Sequence, residues 1–168
     1  LGNLEYNVTQ IKNHLESNTE KMPELFAVIK ADGYGHGSLM CAPTLIACGI
    51  EYFGVASIDE GIELRENKID KPILVLGASP FWAFENAIKY DISVSIFTQE
   101  HLEIAQQLYK RLNKKLKAHI KIDTGMNRIG IESKKANDFI KKVINCEYID
   151  LKGIFTHFAD VENKKIFQ

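Results

Sequence analysis

The sequence contains little cysteine, and none of it lies in a disulfide or metal-binding pattern. Cys41, Cys48 and Cys146 are its three cysteines, and they include no Cys-x-x-Cys pair. The odd number argues against a disulfide framework, and the spacing argues against a tetrahedral zinc site. We therefore predict no metal ion and a reducing, cytoplasmic location. In the apolar stretch that contains them, Cys41 and Cys48 are expected to behave as small hydrophobic side chains.

Long apolar runs and a surplus of one charge are also absent. No run approaches the roughly 20 apolar residues that cross a bilayer, so no membrane partner is predicted. Lysine and arginine total 21 against 22 acidic residues, a balance that provides no broad basic surface for nucleic acid. The remaining expectation is a small-molecule partner. Because the chain starts at Leu1 and its first residues already have a helical pattern, we expect it to be cut at both ends.

Short apolar runs alternate with segments of helical periodicity along the chain. The runs predict buried strands, and the segments around 39–46 and 102–112 predict amphipathic helices. Ser57, Thr98 and Ser133 are predicted N-caps because each precedes a helical segment. Glu60 and Arg65 are expected on a solvated helix face. The predicted strands are 25–30, 52–56, 72–77, 92–97, 116–123 and 151–155.

This alternation predicts an α/β protein with a parallel sheet and right-handed crossovers. A doubly wound sheet would place a Gly-x-Gly-x-x-Gly turn after a strand and an acid at the end of the next, and no such pair is present. We therefore predict a (β/α)8 TIM-type barrel. Because closure needs eight βα units and the chain supplies about six, the barrel is incomplete, and residues 1–168 are predicted to be part of one domain.

Lys30 stands at the end of the first predicted strand, in the segment FAVIKADGYGHG. Barrels place their chemistry at that end of the strands. A buried lysine has a lowered pKa, and its neutral amine forms a Schiff base with an aldehyde such as that of pyridoxal phosphate. Gly33, Gly35 and Gly37 allow close backbone approach, and the Tyr34 hydroxyl suits a phosphate oxygen. A lysine that merely reaches solvent beside a glycine turn is the alternative.

Two further segments end predicted strands with polar side chains. In HIKIDTGMNRIGI, strand alternation puts His119, Lys121 and Asp123 on one face. An interior hydrogen-bonded layer is the alternative explanation for Lys121 and Asp123. Arg128 follows a turn, and its guanidinium there can hold a phenolate and a carboxylate. His157 follows the last predicted strand in GIFTHFAD, where a histidine is more often structural than catalytic.

These three segments resemble those of the pyridoxal-phosphate-dependent alanine racemases of fold-type III, in the same order and over nearly the whole chain. The resemblance implies that Lys30 carries the cofactor and acts as base on one face of the substrate, while Tyr34 binds the phosphate. It implies that Arg128 holds the cofactor phenolate and the substrate carboxylate, and that Lys121 is carbamylated to fix that arginine. His157 would bond an arginine, absent from this chain, that contacts the cofactor's pyridine nitrogen.

The resemblance also implies an activity and an assembly. The enzyme would interconvert L-alanine and D-alanine, supply D-alanine for peptidoglycan, and work as a homodimer when full length. A tyrosine from the partner's C-terminal β-domain would protonate the second face. This sequence has no such domain, so we expect the fragment alone to be inactive. Asn127 departs from the family, which often has glycine there.

Other functions stay open on the sequence alone. A non-catalytic pyridoxal-phosphate-binding barrel would also hold its cofactor on a first-strand lysine, but it would lack the Gly-Tyr-Gly-His-Gly stretch that follows Lys30 here. A decarboxylase or another amino-acid racemase on the same barrel is compatible with Lys30, although the TGMNR turn favours alanine racemase. A third alternative is an inert structural fragment.

Overall fold

The computed structural model of the protein describes residues 1–160. The chain divides into two compact units, Leu1–Leu76 and Gly77–Gln168, and each is described by itself. Residues 161–168 of the predicted domain lie outside the described part. Within residues 1–160, no helix is both long and apolar enough to cross a membrane.

The first unit contains three parallel strands, the first two of which are followed by helical structure. Strand pairing aligns Ala27 with Phe53, and Gly54 with Leu74. Because the strands are parallel, the loops that follow them lie at one edge of this sheet. The elements in chain order are α1 (Gly2–Asn18), β1 (Phe26–Val28), α2 (Lys30–Tyr34), α3 (Ser38–Ala47), β2 (Tyr52–Val55), α4 (Ile58–Glu66) and β3 (Ile73–Val75).

The second unit repeats the pattern. After a 3₁₀ turn at Phe81–Ala83, its elements are α5 (Phe84–Lys89), β4 (Ser93–Ile96), α6 (Gln99–Leu112), β5 (Leu116–Asp123), β6 (Ile131–Glu132), α7 (Ser133–Ile144) and β7 (Ile149–Phe155). Strand β5 pairs in parallel with β4 and β7, and its end pairs with the two-residue β6. The β5–β7 register shifts after Ala118, because Ala118 pairs with Leu151 but His119 pairs with Gly153. Lys152 is therefore the extra residue of a β-bulge.

The six predicted strands are all present, with ends that differ by a few residues. Strand β6 was not predicted, because two residues are too short for an alternation signal. The predicted caps at Ser57 and Thr98 are confirmed. The prediction for Ser133 is wrong: the chain leaves β6 directly into α7, so Glu132 is the N-cap and Ser133 the first helical residue. Cys41 is buried in α3 as expected, whereas Cys48 lies just past its end.

His101 provides a pH-dependent part of the second unit's stability. Its side chain is 4% exposed, stacks on Phe84, and accepts a hydrogen bond from the Thr98 amide at Nδ1, 3.2 Å away. Burial lowers the pKa of His101 to about 4, so the imidazole is neutral in the folded chain. Below the ordinary pKa of about 6.5 the unfolded chain binds more protons, so stability falls with decreasing pH.

We expect the His101 contribution to the free energy of unfolding to fall by about 2 kcal/mol between pH 7 and pH 5. His101→Gln keeps a side chain able to complete the helix cap but removes the titration. Urea unfolding of both proteins at the two pH values measures the difference. Parallel losses of stability in the wild type and the variant would contradict this account.

Candidate active site

The segment after β1 forms a left-handed turn. Ala31, Asp32, Gly33 and Tyr34 have φ of 51°, 51°, 62° and 56°. Only Gly33 adopts this conformation freely, and each of the others costs about 1–2 kcal/mol. Consecutive strained residues persist only where their surroundings hold them, and they cluster at functional sites. We call residues 30–35 the Lys30 turn.

Backbone and side-chain bonds hold the Lys30 turn in place. The Gly33 amide donates to the Ile29 carbonyl at 2.9 Å, and the Gly37 amide donates to the Asp32 carbonyl at 2.9 Å. The Asp32 carboxylate accepts the Ser38 amide hydrogen at 2.7 Å, which satisfies a free donor in the first turn of α3. The turn is thus tied to both the strand before it and the helix after it.

Glu60 makes contacts with the Lys30 turn that the sequence did not indicate. The Ala31 amide donates to its Oε1 at 2.9 Å, and the Ala56 amide donates to its Oε2 at 2.7 Å. The expectation that Glu60 lies on a merely solvated face is wrong, because its carboxylate bridges the loops after β1 and β2. Only the Ser57-x-x-Glu60 spacing gave any signal, and that spacing indicates a helix cap rather than a contact across loops.

Lys30 and Tyr34 lie together on the turn. The Lys30 ammonium nitrogen is 5.9 Å from the centroid of the Tyr34 ring. Lys30 is half-buried, whereas Tyr34 is 60% exposed, so its hydroxyl is open to a ligand. Gly35 has φ of +82° and open space where a Cβ would stand. A cavity of about 680 Å³ between α1, β1 and α3 reaches Tyr34 but is not lined by Lys30.

Lys121 lies near the end of β5 and is only 4% exposed. Its ammonium donates to the Ile122 carbonyl at 3.0 Å and lies 5.3 Å from the centroid of the Phe155 ring on β7. Burial lowers the pKa of Lys121; the carboxylate of Asp123 opposes this shift, and the charge of Arg128 adds to it. The Lys121 ammonium is therefore hydrogen-bonded to the backbone, and burial leaves its amine easier to deprotonate than that of an exposed lysine.

Asp123 organises the turn that carries Arg128. Its Oδ1 accepts hydrogen bonds from the Gly125 amide at 3.0 Å and the Asn127 amide at 3.1 Å, and these bonds lower the pKa of Asp123. Asn127 has φ of 55°, a conformation that asparagine and glycine tolerate best among amino acids. Asparagine at this position therefore adopts the same left-handed backbone conformation that a glycine would adopt. Arg128 follows it with an exposed side chain.

His157 is brought to the same edge by the end of β7. Thr156 donates through its hydroxyl to the Ile122 carbonyl at 2.8 Å, and the hydroxyls of Thr124 and Thr156 are 2.7 Å apart. The His157 carbonyl accepts a bond from the Thr124 hydroxyl at 3.4 Å. The second unit thus gathers four predicted residues at the adjacent ends of β5 and β7: Lys121, Asp123, Arg128 and His157. That they share one site with Lys30 and Tyr34 stays a prediction.

Comparison with known proteins decides the family. The family described as "Alanine racemase, N-terminal domain" matches residues 1–168. The chain belongs to the alanine racemase family. It is 44% identical over 163 residues to alanine racemase 1 of Oceanobacillus iheyensis. The matched region covers 97% of this chain and 42% of that protein. The chain therefore spans about two fifths of the length of this relative.

Solved structures of alanine racemases share the fold. The alanine racemase of Clostridium difficile 630 matches with a TM-score of 0.89 and 40% identity, over 99% of this chain and 44% of that one. A histidine racemase from Leuconostoc mesenteroides also matches, with a TM-score of 0.84 and 28% identity, over 96% of this chain and 42% of that one. The predicted fold class, a partial (β/α)8 barrel of the alanine racemase type, is confirmed.

Proposed function

We propose that the whole protein interconverts L-alanine and D-alanine with pyridoxal 5'-phosphate as its cofactor. The observation that carries the proposal is the Lys30 turn: a strained backbone that holds an amine and a phenolic hydroxyl together at the end of β1, in a chain of this family. A Schiff-base lysine and a phosphate donor are the two groups that a phosphorylated aldehyde requires. The residues present therefore fit this cofactor.

Each of the other residues has a definite task in this proposal. When bound, the cofactor supplies an electron sink that makes the α-hydrogen of an amino acid acidic. The Lys30 amine takes or returns that proton on one face, and the Tyr34 hydroxyl donates to the phosphate. The Arg128 guanidinium holds the substrate carboxylate and the cofactor phenolate, a bidentate geometry that favours arginine over lysine. His157 orients an arginine from another part of the protein.

Lys121 is proposed to be carbamylated. Only a neutral amine adds carbon dioxide, and burial favours that form of Lys121. Carbamylation would replace the positive charge of Lys121 with a negative one, which would offset the positive charge of the neighbouring Arg128. Carbon-13 spectra of protein labelled with bicarbonate are expected to show a carbamate signal that Lys121→Ala removes, and its persistence in the variant would refute the assignment.

The setting of the reaction also belongs to the proposal. Residues 1–168 form part of a single barrel domain, and the protein works as a cytoplasmic homodimer that supplies D-alanine for peptidoglycan. The odd number of cysteines, without a Cys-x-x-Cys pair, supports a reducing compartment. The balance of 21 basic and 22 acidic residues supports a small-molecule partner rather than nucleic acid. The inactivity of residues 1–168 alone stays a prediction.

A racemisation assay on the whole protein tests the function. Incubation with pyridoxal phosphate and L-alanine is expected to produce D-alanine until both enantiomers are equal, as followed by chiral chromatography, and D-alanine is expected to give the same mixture. Cofactor binding without turnover would instead indicate a binding protein. Release of carbon dioxide from the amino acid would indicate a decarboxylase.

Another amino-acid racemase is the second candidate, because a histidine racemase is among the structural neighbours. The same assay with histidine, serine and lysine separates the two. The 44% identity to an alanine racemase, against 28% to the histidine racemase, favours alanine. Faster conversion of another amino acid than of alanine would favour the second candidate.

A further inference from the structure

Glu60 contacts the loops that follow two neighbouring strands. One carboxylate oxygen accepts the amide hydrogen of Ala31 at 2.9 Å, and the other accepts that of Ala56 at 2.7 Å. The Ala31 amide belongs to the peptide group that joins it to Lys30. Glu60 therefore fixes the plane of the peptide bond directly after the proposed cofactor lysine.

This geometry is a modified helix cap. Ser57 is the N-cap of α4, and its hydroxyl accepts the Glu60 amide hydrogen at 3.3 Å. In the usual capping box, the glutamate three residues on returns to the amide of the N-cap itself. Here Oε2 instead accepts the amide hydrogen of Ala56, the residue before the N-cap, and Oε1 accepts that of Ala31. The rigid start of α4 thus becomes an anchor for the Lys30 turn.

The bond from the Ala31 amide to Glu60 lies at the first strained residue of the Lys30 turn. Ala31 is the first residue of the left-handed series, with φ of 51°, and it has no glycine-like freedom. A hydrogen bond to a carboxylate is roughly twice as strong as one between neutral groups. Removing the carboxylate charge weakens the bond at Ala31 and favours return of that residue to its ordinary conformation.

We propose that Glu60 is a positioning residue of the site, and that it keeps the Lys30 turn left-handed so that Lys30 and Tyr34 stay together. The part that concerns the cofactor rests on the proposed function. The part that concerns the backbone does not, because it depends only on contacts within the first unit.

The test compares Glu60→Gln with Glu63→Gln in the whole protein. Both changes remove one negative charge from α4, but the Glu63 side chain is exposed. Without cofactor, amide hydrogen exchange in the peptide covering residues 30–38 is expected to be roughly tenfold faster in Glu60→Gln. Glu63→Gln should leave it unchanged. With pyridoxal phosphate, the apparent Kd is expected to rise about tenfold in Glu60→Gln alone.

A second substitution separates local strain from general damage. Glycine adopts a positive φ without cost, so Ala31→Gly added to Glu60→Gln is expected to restore slow exchange in residues 30–38 and the cofactor affinity. Wild-type exchange in Glu60→Gln would overturn the proposal. So would faster exchange across the whole chain that Ala31→Gly does not reverse. If the wild type binds no cofactor but the exchange results hold, the role of Glu60 stands and the proposed function fails.

Discussion

Lys30→Arg is expected to abolish covalent attachment of pyridoxal phosphate. Arginine keeps the positive charge near Tyr34, but its guanidinium does not lose a proton and so cannot form the bond to an aldehyde. Borohydride reduction followed by peptide mass spectrometry should find one pyridoxyl group per wild-type chain, on Lys30, and only background in the variant. Racemisation should fall by at least about 10²-fold, the smallest usual contribution of a positioned acid or base.

The matched control for this experiment is Lys21→Arg. Lys21 is exposed and lies before β1, so its replacement tests the same chemical change away from the turn. Labelling and turnover should both equal those of the wild type. A full pyridoxyl group on a different lysine of the Lys30→Arg protein, together with retained turnover, would show that the wrong lysine has been assigned.

Gly130→Ala is expected to destabilise the fold by about 2–6 kcal/mol, the sum of backbone strain and steric overlap. Gly130 has φ of +127°, and a Cβ there would stand 2.7 Å from the Asp123 nitrogen and 3.0 Å from the Ile122 carbonyl carbon. Both atoms belong to the backbone of β5, so they cannot move aside without distorting the strand that carries Lys121.

Gly125→Ala is the control, because φ at Gly125 is nearly the same, +126°. Its added Cβ would meet only the Ala159 side chain, at 3.2 Å, so it should show the strain of about 1–3 kcal/mol without the backbone overlap. Urea unfolding of the two variants measures the difference. Equal losses of unfolding free energy in the two variants would contradict the expected overlap between the added Cβ at position 130 and the backbone of β5.

The sequence predicts the elements of this fold well because its signals are local. Apolar runs mark the strands, and a serine and a threonine mark the starts of α4 and α6. The motifs also place Lys30, Arg128 and His157 at strand ends, since a parallel strand delivers the residue after it to a known edge. Two-residue β6 escapes this reasoning, because its pairing depends on β5 rather than on its own pattern.

The arrangement of the site is less predictable because it depends on conformation and distant contacts. Glycine signals a positive φ, but Ala31 and Asp32 do not, so only part of the left-handed turn could be expected. Glu60 reaches a residue 29 positions earlier, and no sequence pattern encodes that bond. The role of Asp123 in holding two amides likewise requires the turn to be seen.

The bulge at Lys152 determines which residues of β7 lie opposite the end of β5, where Lys121 stands. Successive residues of a strand point to opposite faces, so one unpaired residue reverses the alternation of everything after it. With it, Gly153 lies opposite His119, where a Cβ would stand 2.9 Å from the imidazole, and Phe155 lies opposite Lys121. An unbroken ladder would set Lys152 opposite His119 and Ile154 opposite Lys121. The environment of the buried lysine thus depends on one inserted residue three positions before Phe155, and a register shift that closed the bulge would place Ile154 beside Lys121 without altering any side chain of the site.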